Sequence, residues 1–67
     1  MNNRLRELRE QNGITQEDLA AQVKVSRQTI ISLEKGKYNP SIGLAYSLAK
    51  VFHLTIEEIF IFEEGEE

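Results

Sequence analysis

The chain has 67 residues, 40% of them hydrophobic and 28% charged, with a formal net charge of -3, no cysteine and one histidine, His53. This describes one small globular domain with no disulfide framework, no thiolate metal site and too little histidine for a metal or catalytic cluster, so neither metal nor cofactor is expected. No apolar run approaches membrane-spanning length and the N-terminus has no signal-peptide core, which makes a cytoplasmic protein with no membrane partner the default expectation.

The elements follow in order. Asn2 or Asn3 caps a first helix that turns Leu5 and Leu8 inward, carries Arg4, Arg6 and Arg9 with Glu7 and Glu10, and stops at Asn12-Gly13. Arg6 and Glu10 are four apart and suited to pairing along the helix. Thr15 with Asp18 marks the start of a second helix from Gln16, whose apolar stripe is Leu19, Ala20 and Val23. Lys24 and Val25 break the period, and Ser26 caps a third helix that closes at Gly36. The stretch 16–35 therefore reads as two short helices joined by a tight turn.

At about 100° per residue, Ile30 and Leu33 of the third helix fall together and face inward. Arg27, Gln28, Ser32 and Lys35 fall on the opposite arc, with Ile31 among them. Such an arc can donate and accept at base edges while its cations hold phosphate, although many polar helix faces are merely solvated. Pro40 then forces Asn39 extended, and Ser41 caps a fourth helix, Ile42 to Phe52, with Leu44, Ala45, Leu48, Ala49 and Phe52 on its core side. Lone His53 reads as a helix end-cap. Thr55 and Glu58 form a capping box opening a short fifth helix with Ile56, Ile59 and Phe60.

Ile59, Phe60, Ile61 and Phe62 are more consecutive apolar residues than a short helix buries in a monomer. They either fold back on the core as an extended segment or form a self-association surface. Residues 1–62 make the domain, and the acidic residues 63–67 are expected to be a disordered tail.

The segment TQEDLAAQVKVSRQTIISLEKGKYNPS, followed by LAYSLAKVFHLTIEEIF, resembles the phage-repressor/Cro (xenobiotic-response-element) family of transcription regulators, in particular its compact members of the cytolysin-repressor type. The resemblance covers nearly the whole chain. It departs from the family at Lys24, where many relatives carry glycine, and at Ile31, where relatives often carry a polar residue. Ile31 either meets a thymine methyl or covers the core edge, and the second reading is preferred.

The resemblance implies an all-α, five-helix lambda-repressor-like domain, with or without a short extended C-terminal segment. It also implies a non-enzymatic regulator, most simply a repressor, binding double-stranded DNA as a homodimer on a (pseudo)palindromic operator. Arg27, Gln28 and Ser32 are the expected base-edge contacts. Gln16, Lys35, Lys37, Tyr38 and Asn39 are the expected backbone contacts, with packing on the fourth helix as an equal alternative for Tyr38. An Arg9–Glu34 bridge is implied as a structural tie, and Leu54, Ile56, Phe60 and Phe62 as a dimer contact. The alternative function is an antitoxin-like module whose apolar C-terminal surface binds a partner protein.

The acidic net charge does not exclude DNA, because the charges are segregated. Residues 1–56 hold all eight lysines and arginines against five acids, a net of +3, whereas residues 57–67 hold six acids and no base, a net of -6. Phosphate responds to the field within about a Debye length, ~8–10 Å in ordinary salt.

Overall fold

The helix ends show most directly how this sequence encodes its fold. In the computed structural model, which describes residues 2–61, helices run Leu5–Gln11 (α1), Gln16–Val23 (α2), Arg27–Glu34 (α3), Ile42–Phe52 (α4) and Ile56–Ile59 (α5). Four of the five open on a Ser or Thr hydroxyl that accepts a backbone N–H three residues on. These are Thr15 from Asp18 at 3.0 Å, Ser26 from Thr29 at 3.2 Å, Ser41 from Leu44 at 3.1 Å and Thr55 from Glu58 at 3.3 Å. At α5 the reciprocal bond is also made, Thr55 N–H donating to Glu58 Oε1 at 2.8 Å. The exception is α1, where Asn3 Oδ1 accepts from Leu5 N at 3.1 Å.

The first four helices also end alike. Each is followed by a residue at positive φ: Gly13 (66°), Lys24 (61°), Gly36 (73°) and His53 (57°). The next residue's N–H donates back five positions, from Ile14 to Arg9, Val25 to Ala20, Lys37 to Ser32 and Leu54 to Ala49, at 2.9–3.1 Å. This is the Schellman closure, and it satisfies carbonyls that the helix end would otherwise orphan. Ile14, Val25 and Leu54 then pack against the core, so three of the four turns also bury an apolar side chain. Lys24 and His53 accept the left-handed backbone without glycine's freedom, at a cost of about 1 kcal/mol each.

The closures fold the helices around one core. Leu5, Leu19, Ile30, Leu33, Leu48 and Ile59 are fully buried within it, with Ala20, Ala45, Ala49 and Phe52 beside them. Small Ala20 on α2 and Ala45 and Ala49 on α4 let those helices approach closely, and α2 packs on both α3 and α4. The expected all-α, five-helix architecture is present, with no named strand among the described residues.

Of the two readings of the apolar C-terminal run, residues 59–61 take the fold-back. Phe60 forms an isolated antiparallel bridge with Asn3, flanked by Arg4 N–H to Ile59 O and Ile61 N–H to Asn2 O, both 2.8 Å. This corrects one residue of the expected dimer contact. Phe60 is 1% exposed and is the largest fully buried side chain, so its ring is already occupied inside its own chain. Leu54 and Ile56 are half-buried against the same core, while Phe62 and residues 63–67 lie outside the described residues. Phe60→Ala should therefore cost ~3–5 kcal/mol of folding stability, much of what a domain this size has. Urea unfolding should register the same loss at every protein concentration, as an intramolecular core residue requires and a dimer-face residue does not.

Candidate nucleic-acid interface

The site is built from the outer face of α3 and the start of α2. With Ile30 and Leu33 buried, the opposite side of α3 carries two stripes at four-residue spacing. One is Arg27, Ile31 and the C-cap Lys35, and the other is Gln28 and Ser32. Arg27, Gln28 and Lys35 are exposed, and Ile31 and Ser32 are half-buried. The Arg27 stripe forms one wall of an open concavity whose other walls come from Arg6 and Arg9 of α1, the Gly13–Thr15 turn, and Gln16 and Glu17. Gln28 and Ser32 lie outside this concavity on the adjoining surface. Lys37, Tyr38 and Asn39 are exposed on the loop beyond Gly36.

Glu34, inward of the Arg27 stripe, carries the densest polar network. Arg9 Nε donates to its Oε2 at 2.7 Å and Arg9 Nη2 to its Oε1 at 3.3 Å, while Gln16 Nε2 donates to the same Oε1 at 3.1 Å. Arg9 Nη1 donates to the Ile14 carbonyl at 3.0 Å. The side chains of Arg9 and Glu34 are 12% and 6% exposed. The Glu34 hydrogen bond, outweighing the opposing effect of burial, raises the Arg9 guanidinium further above its already high pKa. Arg9 therefore stays charged throughout the neutral range.

The other two arginines of α1 are paired as well. Arg4 bonds Glu7 at 3.0 Å and the Glu58 carbonyl at 3.2 Å, and Arg6 bonds Glu10 at 3.2 Å. Among the described residues, Lys24, Arg27, Lys35, Lys37 and Lys50 have no carboxylate partner, and Lys50 Nζ lies 5.5 Å from the Tyr46 ring centroid. Four of these five cations lie on α3 or its flanking turns, and the fifth, Lys50, is on α4.

Two placements refine the expectations. Ile31 is not among the side chains packed on the core; it lines the concavity between Arg27 and Lys35, contrary to the preferred core-edge reading. Gln16, expected at the backbone, has one amide N–H committed to Glu34, a bond between residues 18 positions apart that no local pattern signals. Tyr38 is 46% exposed, so packing leaves much of its ring in solvent.

The sequence model of the helix-turn-helix family matches residues 5–59, all five helices. The chain belongs to that family. It is 56% identical over 66 residues to an uncharacterised HTH-type transcriptional regulator of Archaeoglobus fulgidus, covering 98% of this chain and 94% of the relative. A second such regulator, from Methanocaldococcus jannaschii, is 54% identical over 66 residues, covering 98% of this chain and all of the relative. The restriction-modification controller protein C.AhdI from Aeromonas hydrophila superposes with a TM-score of 0.77 at 35% identity, over 85% of this chain and 86% of that one. The protein is thus a Cro/C1-type helix-turn-helix transcriptional regulator that binds DNA, with a lambda-repressor-like fold. No helix among the described residues is long and apolar enough to cross a membrane.

The part-buried ion pair gives this regulator a clear stability signature. Arg9→Met leaves Glu34 poorly solvated with Gln16 as its remaining side-chain donor, and should lower stability by about 3 kcal/mol. Glu7→Gln, at an exposed pair, should change it by less than ~0.5 kcal/mol. Chemical denaturation of the two variants checks the contrast.

Proposed function

We propose that this regulator acts as a homodimer on a (pseudo)palindromic operator, placing α3 of each copy in successive major grooves ~34 Å apart. The observation that carries this reading is the division among the cations. Those of α1 are paired with carboxylates, whereas Arg27, Lys35 and Lys37, on or beside α3, have no carboxylate partner among the described residues. In this reading Arg27 reaches guanine, Gln28 reads adenine, Ser32 makes an adaptable contact and Ile31 meets a thymine methyl. Gln16, Lys35, Lys37, Tyr38 and Asn39 hold the sugar-phosphate backbone and fix register. Repression is the proposed output, because occupancy of an operator is enough to block a promoter.

Dimerisation is assigned to Leu54, Ile56 and Phe62, without Phe60. The partner-protein alternative is not favoured, because the relatives that match over nearly the whole chain are HTH-type transcriptional regulators. Ile56→Asp should reduce a dimer to monomer in light scattering and weaken operator binding, while circular dichroism remains helical. A chain that is monomeric at high concentration both with and without DNA would rule the dimer out.

Base and backbone roles separate in a second experiment. In fluorescence anisotropy with duplexes selected from a randomised pool, Gln28→Ala should alter which duplex is preferred, by ~1–3 kcal/mol at the base it reads. Lys37→Ala should weaken all duplexes alike and reduce the salt slope by about one. Uniform loss from both variants would reject the base-reading assignment.

A further inference from the structure

Gln16 is held differently from the other residues proposed to touch DNA. Arg27, Gln28, Lys35 and Lys37 are exposed, whereas Gln16 is half-buried and its carboxamide is tied to a carboxylate that is 6% exposed. Glu34 Oε1 accepts and does not donate, so the Gln16 atom 3.1 Å from it is Nε2. The chemistry of the acceptor therefore fixes which way the amide is turned. Gln16 keeps its second Nε2–H and its carbonyl oxygen for the open concavity it shares with Arg27. Glu34 is itself immobilised by the fork from Arg9, which in turn bonds the Ile14 carbonyl just before the α2 N-cap.

We propose that Glu34 is a positioning residue for DNA binding. It holds the Gln16 side chain in one rotamer and one amide orientation before DNA arrives, so that an N–H is already aimed at the phosphate. This deepens the backbone role proposed for Gln16 and rests on it. The gain is preorganisation: a glutamine immobilised only on binding loses side-chain freedom at that moment, and one already held by Glu34 loses less. In Glu34→Gln, the amide oxygen satisfies the short bond from Arg9 Nε and the new NH₂ faces Gln16 Nε2, donor against donor. Gln16 must then turn its amide or leave the site.

The test is a double-mutant cycle on wild type, Gln16→Ala, Glu34→Gln and the double variant. Anisotropy is read with one duplex selected by the wild-type protein, and thermal unfolding is followed in parallel. Removing the Glu34 charge changes the field on DNA alike whether or not Gln16 is present, so that effect cancels in the cycle. Glu34→Gln should cost on the order of fivefold more affinity when Gln16 is present than when it is replaced. A ratio of one would overturn the proposal and leave Glu34 a structural partner of Arg9. If Gln16→Ala alone leaves affinity unchanged, the backbone role of Gln16 fails and the proposal fails with it. Should Glu34→Gln not fold, side-chain amide relaxation of the free wild-type protein decides. Gln16 Nε2 should be markedly more restricted than Gln28 Nε2, and equal mobility would overturn the proposal.

Discussion

The Arg9–Glu34 pair is the constraint on which the rest of the structure depends. Two opposite charges, 12% and 6% exposed, have given up most of their water, and their mutual attraction offsets this only if the remaining donors and acceptors are used. Here they are used. Glu34 accepts from Arg9 at both oxygens and from Gln16 at one, and Arg9 has a nitrogen left for the Ile14 carbonyl. Hydrophobic contact between α1 and α3 fixes neither their rotation nor their register sharply, because apolar packing is nondirectional. A forked guanidinium on a carboxylate fixes both.

The same end of α3 has a second anchor. Asn3 Nδ2 donates to the Leu33 carbonyl at 2.7 Å while Asn3 Oδ1 accepts from Leu5 N, and the Asn3 backbone pairs with Phe60. One residue thus joins the start of α1, the end of α3 and the C-terminal segment. The recognition helix is gripped at its C-terminal end, at Leu33 and Glu34, and closed there by Gly36. Its N-terminal turn, with Arg27 and Gln28 exposed, is held chiefly by the Ser26 cap and the packing of Ile30 on the core. A helix fixed at one end from behind leaves the exposed side chains of its other end available for the base contacts proposed for them.

What the sequence disclosed follows the range of the interaction. Helix starts were legible because Ser or Thr lies three residues before the N–H it caps, and helix stops because Gly13 and Gly36 stand where the backbone turns left-handed. Even Lys24, an unlikely residue for that turn, was placed correctly by the restart at Ser26. Contacts between distant residues were not legible in this way. The Arg9–Glu34 bridge was suggested only by family resemblance, and the Gln16–Glu34 bond by nothing local. Four consecutive apolar residues exceed what one short helix covers, which leaves a fold-back and a self-association surface both open, and only the family resemblance places Phe60 in a dimer contact. The missing surface comes from the opposite terminus, where residues 2–4 pair with 59–61. Ile31 erred the other way: an apolar residue on a polar arc reads as core, but it lines the open concavity.

The pairing pattern also resolves how an acidic protein binds an acidic polymer. With principal extents of 34 × 22 × 20 Å, the domain is roughly two to four Debye lengths across, so net charge is a poor guide to the field at any one face. Each arginine of α1 has a carboxylate within 3.3 Å and adds little to an external field. Of the five cations with no such partner among the described residues, Lys24, Arg27, Lys35 and Lys37 fall within fourteen positions of sequence, from 24 to 37, and Lys50 stands apart on α4. Exposed Glu57 and Glu58 lie on α5, the start of the acidic stretch that makes the total negative. Weak overall charge, with four of the five cations that lack a carboxylate partner among the described residues on or beside α3, favours contact through that face and supports the proposed placement of α3 on DNA.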